Sequence, residues 1–215
     1  MSNIIDISIE ISEQLPVWPG EQQVAIRQTR SMDDGDSCNV AFFTMGMHAG
    51  THVDVPLHFV RDGKDTASIE LDRFAGRAKV FEFDSQIEVD VAALEGLDIT
   101  KDDIVLLKAL RNEKLLLDNV FHKDYIYLST EAASFLVKKG IKAVGINYFS
   151  IEKFNLPGNA THKMLLENGV IIIEGLKLDG VLPGEYQGVF LPLKFEGGNG
   201  SPTRAILIRN KEYFR

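Results

Sequence analysis

Residues 48–58 read HAGTHVDVPLH, an eleven-residue stretch that holds Asp54 and three of the chain's five histidines, His48, His52 and His58. Imidazole and carboxylate side chains are ligands for first-row metals of the zinc, manganese and iron type. Spacing decides what shape such a site needs. His48, His52 and Asp54 share parity, but a straight strand would hold His48 and His52 about 13 Å apart, too wide for one ion. A helix would bring residues i and i+4 together, yet Gly50, Thr51, Val53, Val55 and Pro56 all oppose a helix here. A bent segment reconciles the two: a strand arriving at His48, a sharp turn over Ala49, Gly50 and Thr51, then a short extended piece. Gly50 supplies the turn's backbone angle and carries no Cβ to crowd an ion. Pro56 stops sheet pairing and puts His58 on a loop. His48, His52 and Asp54 are therefore expected to bind metal, leaving His58 free to act as acid or base. Without a metal, the same four would be ordinary polar residues of a strand and a loop; their crowding around glycine and proline argues against that.

A second pair lies far downstream. His162 falls in the first turn of a helix expected over Ala160–Asn168, capped by Asn159 and closed by Gly169. From His162 that helix climbs roughly 10 Å, and the extended residues after Gly169 return about 15 Å, so Glu174 meets His162 if helix and strand are antiparallel. Glu174 also ends a run of β-branched residues, Val170–Ile173, and a buried carboxylate needs a partner. A cation would be one. The plainer alternative is a helix-end histidine and a surface glutamate.

These residues must be carried by a chain of 215 residues and 24.0 kDa, read as a single domain over 1–215. With 45% hydrophobic and 25% charged residues it is neither disordered nor fibrous. Its net charge of −8, with no basic cluster, disfavours a nucleic-acid partner. The lone Cys38 has no internal disulfide partner and reads as a buried small residue in a reducing compartment. The opening MSNIIDISIE lacks the pattern of an export signal, and no run approaches the roughly 18 apolar residues of a membrane helix. The expectation is a cytoplasmic protein with no membrane partner. Strands are expected at Ile4–Ile11, Val24–Gln28, Asn39–Met47, Arg77–Asp84, Ile104–Leu107, Tyr125–Leu128, Ile141–Ile146, Val170–Ile173, Val189–Phe195 and Ala205–Ile208. Helices are fewer: one from Asp90 through Leu97, one over Glu131–Lys139 capped by Ser129 or Thr130 and closed by Gly140, and the one carrying His162. The class is α/β or α+β, a mixed β-sheet domain.

HAGTHVDVPLHF resembles the HxGTHxDxPxHF signature of the cyclase family, which includes bacterial kynurenine formamidase (arylformamidase) and isatin hydrolase. The resemblance covers nearly the whole chain. Val17-Trp18-Pro19-Gly20 is similar to the family's opening aromatic-Pro-Gly element, VGINYFSIE (144–152) to its GIDxxSID segment, and HKMLLENGVIIIEGL to its second ligand block. PGEY from Pro183 and GSPTRA from Gly200 resemble its closing elements. It implies a swivelling β/β/α domain that assembles as a homodimer or homotetramer around a divalent metal centre, Zn²⁺ or Mn²⁺, with one or two ions per subunit. It further implies His48, His52, Asp54, His162 and Glu174 as ligands, His58 as the catalytic acid/base, and Trp18 against the substrate ring. The chain departs from the pattern at Asn147, where the family commonly carries Asp, and in the stretch Tyr148–Glu152.

The chemistry expected is metal-dependent hydrolysis of a formamide or cyclic amide on an aromatic or heterocyclic small molecule, of the kynurenine formamidase type that serves tryptophan catabolism. Three alternatives use the same residues differently: hydrolysis of another small amide or lactam, a two-histidine, one-carboxylate iron(II) oxygenase, and a non-catalytic metal-binding protein. Oxygen consumption with ferrous iron would mark the oxygenase, and absence of turnover on any amide would mark the binding protein.

Overall fold

The computed structural model of the protein describes residues 3–84, 87–118 and 120–209. In chain order the strands and helices are β1 (Ile4–Asp6), β2 (Ala25–Arg30), β3 (Val40–Thr44), β4 (His52–Asp54), β5 (Ala75–Phe83), β6 (Glu88–Val89), α1 (Val91–Leu94), β7 (Ile104–Ala109), α2 (Leu110–Leu116), β8 (Tyr127–Leu128), α3 (Thr130–Lys139), β9 (Ala143–Ile146), α4 (Ala160–Leu166), β10 (Ile171–Glu174), β11 (Gly184–Val189), β12 (Gly200–Pro202) and β13 (Ile206–Ile208).

Among the described residues, nine strands form one mixed sheet in the order β1-β13-β11-β5-β7-β9-β10-β4-β12. Its centre, β5-β7-β9-β10, is parallel, and every pairing outside it is antiparallel. Apart from Lys108 and Glu174, the runs IVLLKA, AVGI and IIIE are apolar because β7, β9 and β10 are buried at every position, covered on both faces. Leu94, Leu136 and Leu165 from α1, α3 and α4 pack on one face with Val105, Leu107 and Ile172. Phe74, Leu176, Phe190 and Leu207 fill the other with Val80, Leu106 and Ile173. The mixed α/β class expected from the sequence is the one formed.

Local signals held where they had backbone partners. Ser129 Oγ accepts from Ala132 N–H at the start of α3, and Gly140, at φ 75°, closes it with Lys138 and Lys139 in the last turn. Other expectations are corrected. The strand expected over Ile4–Ile11 ends at Asp6, with one further bridge at Ser8. The strand expected at Val189–Phe195 lies earlier, as β11, whose Gly188 lets it press against Ala78 of β5: a Cβ there would stand 2.9 Å from the Ala78 Cβ. Helix α2 follows β7 directly and is not signalled by the sequence, since Ala109 at its start offers no capping side chain. Asn159 does not cap α4; it sits at φ 51° with no capping bond, and the carboxylate of Glu152 takes the Thr161 and His162 N–H groups instead, at 2.7 and 3.1 Å. Cys38 is exposed, not buried, in the connection between β2 and β3.

Those two strands form a hairpin with almost no buried face, on which Phe42 and Phe43 are 49% and 59% exposed. No helix among the described residues is long and apolar enough to cross a membrane.

Candidate metal centre

Strand β4 carries two of the expected ligands into the sheet. It lies between β10 and β12, antiparallel to both, so that His52 faces Glu174 on one side and Pro202 on the other. Directly opposed residues of an antiparallel pair have Cβ atoms about 5 Å apart, which is why Glu174 reaches the histidine segment. His52 and Asp54, two residues apart, project to the same face. The turn before β4 is bent as the sequence required, with Gly50 at φ 72°. Gly175, at φ 66°, must also be glycine: a Cβ there would strike the Gly50 carbonyl, so the turn packs flush on the end of β10. Thr51 locks the contact, its Oγ donating to the Gly175 carbonyl at 2.6 Å.

Six side chains converge. His48 Nδ1 stands 2.7 Å from Asp54 Oδ1, and His52 Nε2 stands 3.5 Å from Asp54 Oδ1 and 3.3 Å from Glu174 Oε2. His162 Nε2 is 3.2 Å from Glu174 Oε1 and 3.7 Å from Asp54 Oδ2. The His58 ring stacks on His48 with centroids 3.9 Å apart. Rather than a plain loop, His58 ends a short 3-10 turn, Pro56–His58, begun by the proline. Donor atoms of His48, Asp54 and His58 lie within 4.8 Å of one another, as do those of His52, Asp54 and Glu174. Asp54 belongs to both groups. All the residues singled out for the centre are thus brought together, and His58 falls among potential ligands as well as beside them.

This donor set fits a divalent cation. Asp54 and Glu174 are almost wholly buried, and Asp54 Oδ2 has no hydrogen-bond partner. An orphaned carboxylate oxygen facing imidazole nitrogens calls for a positive charge between them. Without a metal, protons fill that role. Burial pulls His48 down, but the Asp54 charge and hydrogen bond outweigh it and hold His48 up at about 8. Burial likewise opposes charge on His162, while Glu152 and Glu174 push it up to about 10. Asp54 is driven well below the usual carboxylate range, since His48 and then His52 and His58 overcome its burial. Glu174 is lowered too: burial and Asp54 oppose this, and His162 and His52 win. His58 goes the other way, to about 4, because burial leads and His48 and His162 repel its charge.

Three further groups, one of them backbone, stand at the outer nitrogens of the rings. The Gly50 carbonyl accepts from His52 Nδ1 at 2.9 Å, the Asn199 side chain bonds His48 Nε2 at 3.1 Å, and Glu152 Oε2 stands 3.4 Å from His162 Nδ1, close but out of line for a hydrogen bond. Asn147, the departure from the family pattern, is absent from the centre: its amide pairs with the N–H and carbonyl of Ala109, joining the ends of β9 and β7.

A cavity of about 310 Å³ opens over the histidines, lined by Trp18, Phe59, Phe149 and Lys153 besides His58 and His162. Trp18 is braced there against Phe121 and Phe154, with ring centroids 5.1 and 5.2 Å apart.

Known proteins share this frame over nearly their full length. Curated relatives include the kynurenine formamidases of Erythrobacter litoralis, 35% identical over 95% of this chain and 93% of theirs, and of Bacillus mycoides, 30% identical over 96% and 97%. A solved structure titled as a predicted metal-dependent hydrolase from Bacillus stearothermophilus is 33% identical and superposes with a TM-score of 0.84 over 96% of this chain and 98% of that one. Isatin hydrolase A from Ralstonia solanacearum, at 22% identity, has the same fold, with a TM-score of 0.85 over 96% of this chain and 92% of its own. Residues 5–153 match the family described as Putative cyclase, and it is to this cyclase family that the chain belongs.

Proposed function

We propose that this chain is a metal-dependent hydrolase that cleaves a non-peptide C–N bond, a formamide or cyclic amide of an aromatic or heterocyclic substrate. The observation that carries the reading is Asp54, buried, shared by two donor groups and left with an unpartnered oxygen, while His48, His58, His162 and Glu174 beside it line a cavity that also holds Trp18, Phe59 and Phe149. Relatives named kynurenine formamidase make an aryl formamide, N-formylkynurenine, the first substrate to test.

His48, His52, Asp54, His162 and Glu174 would hold one or two divalent ions, zinc or manganese; Asp54 is the residue common to both donor groups. A cation there would lower the pKa of water towards about 7 and polarise a carbonyl oxygen. The chain's residues supply the rest. His58, held down at about 4, is neutral at pH 7, so a ring nitrogen is free to take a proton from water and pass it to the departing amine. Trp18 offers its face or edge to an aryl group. The cavity of about 310 Å³ sits at the small end of ligand pockets, which suits a single-ring or bicyclic amide.

The decisive experiment is elemental analysis of protein purified without chelators, followed by turnover of N-formylkynurenine with added zinc or manganese. Protein free of metal and inert on every aryl formamide and lactam offered would sink the proposal. A second reading of His58 is favoured by its distance to His48 and Asp54: it completes the shell of one ion. His58→Ala separates the two. As acid/base it keeps its full metal content while turnover falls about 10²–10⁴-fold; as ligand it loses one equivalent of metal.

The same proposal takes the chain as one domain over 1–215 that pairs as a homodimer or homotetramer. The bare β2–β3 hairpin supports this, because an isolated two-stranded ribbon with exposed aromatics is marginally stable until something covers it. Light scattering of Phe42→Ser/Phe43→Ser should then report a smaller particle. A reducing, cytoplasmic setting suits the single exposed thiol of Cys38.

A further inference from the structure

Asn199 and Gly200 enter the site from the opposite end of the sequence. The Asn199 carbonyl accepts from Val55 N–H at 3.4 Å, which straps this loop to the chain just beyond Asp54. Gly200 lies across from Asp54 in the β4–β12 register, and a Cβ on it would stand 2.5 Å from His48 Cε1 and 2.9 Å from the Val53 carbonyl. Only a residue without a side chain lets the loop come this near. The approach puts the Asn199 side chain 3.1 Å from His48 Nε2, the ring nitrogen facing away from Asp54. The His48 side chain is 26% exposed, against 1% for His52 and 8% for His162, so packing fixes it less than it fixes those two.

We propose that Asn199 is a positioning residue that selects the tautomer of His48. His48 Nε2–H donates to Asn199 Oδ1, which leaves Nδ1, 2.7 Å from Asp54 Oδ1, to face the cation. His52 is held in the reverse sense: Nδ1–H donates to the Gly50 carbonyl and Nε2 faces the centre. Neighbouring ligands thus approach through different ring nitrogens. Nδ1 is the nitrogen nearer the backbone, so His48 reaches inward on a shorter lever than His52 does. The carbonyl holding His52 belongs to the backbone and cannot be mutated away, whereas the group holding His48 is a side chain. This inference rests on the metal-dependent reading above, and the test keeps the two apart.

Zinc and cobalt affinities would be measured by competition with a chromophoric chelator for the wild type, Asn199→Ala and Asn199→Asp. Partners that orient a metal-bound histidine typically contribute about 10–100-fold in affinity. Asn199→Ala should weaken one ion's binding by that factor, and Asn199→Asp, which keeps an acceptor in place, should restore it. A parallel readout needs no variant: the ¹⁵N spectrum of histidine-labelled, zinc-loaded wild type should show His48 protonated at Nε2 and His52 at Nδ1. Asn199→Ala affinity within twofold of wild type overturns the proposal, as does a proton on His48 Nδ1. Asn199→Asp as weak as Asn199→Ala would mean that Asn199 donates through its amide, which also overturns it. A wild type that binds neither metal sinks the metal-dependent reading itself.

Discussion

His48, His52, Asp54 and His58 come from one stretch of chain, whereas Glu174 and His162 reach the same centre from the end of β10 and the first turn of α4. The two halves are held by different means. In the first, a glycine turn and a proline-led 3-10 turn set the spacing, and the rings lean on a carbonyl and on a loop side chain. In the second, strand register puts Glu174 opposite His52, and Glu152 fixes α4 by accepting its first N–H groups. The local half supplies most of the donors, including the two most deeply buried, His52 and Asp54; the assembled half adds Glu174 and His162, both buried as well. A centre built this way is sensitive wherever both halves share an atom group, and less so where either is served by one contact.

Asp54 is the shared group, so it bears the largest predicted effect. Asp54→Asn keeps the shape but replaces one acceptor oxygen with an NH2 donor and removes the charge that His48, His52 and His162 face. Metal should be lost from both groups, and turnover with it. Retention of full metal content by Asp54→Asn would refute the view that one carboxylate joins the halves.

The next prediction concerns protons. In chelated protein His48 is raised to about 8 and His162 to about 10 from an ordinary value of 6.5. Each therefore contributes stability that is complete below 6.5 and is lost as pH rises through those values. Asp54 and Glu174 are lowered, so their contribution is present above the usual carboxylate range and lost only in acid. A bound cation takes the place of the protons, so binding releases them and strengthens as pH rises. The gap in melting temperature between loaded and chelated protein should widen from pH 6.5 to 8. Because His162 titrates higher than His48, widening that continues beyond pH 8 belongs to the assembled half. A gap constant over this range would show that the histidines do not exchange protons for metal.

A smaller effect isolates the assembled half. Glu152→Ala removes the acceptor for the Thr161 and His162 N–H groups, a loss comparable to deleting a helix cap, about 1–2 kcal/mol. Thermal unfolding of chelated protein should register it, while Asn199→Ala, acting on the other half, should leave that melting temperature nearly unchanged. Equal destabilisation by both would erase the distinction between the halves.

The same division explains what could be read from the sequence. The first half was legible because its donors are adjacent along the chain, and the glycine and proline that bend it stand among them. Glu174 could be suspected from a carboxylate after four apolar residues, but its place opposite His52 depends on a strand register that only the folded sheet fixes. Asn199 gave no signal: the residue it serves is 151 positions away, and an asparagine before a glycine reads as a turn. Glu152 gives no signal for a related reason. Asn159 stands where a capping residue normally stands, yet its left-handed backbone turns its side chain out of that role, and a buried acid from another segment fills it. Strand β11 escaped notice because its glycines lower strand propensity, and six pairings to β5 override that.

Trp18 tests the wall over both halves and carries the smallest predicted effect. Its ring is half-buried and rests on Phe121 and Phe154, so the substrate would find it already braced and little ordering cost would remain. An aromatic pair is worth about 0.5–1.5 kcal/mol beyond the area it buries, roughly 2–10-fold in binding. Trp18→Ala should therefore raise KM for an aryl formamide by about that factor and leave metal content untouched. Trp18→Phe should recover most of the loss. The control is an aliphatic formamide, which has no ring to stack and should show no such change. If KM rises equally for both substrates, Trp18 shapes the cavity without recognising an aromatic group; if kcat falls while KM holds, it acts on the reacting centre, and the wall and the metal-binding floor are not separable.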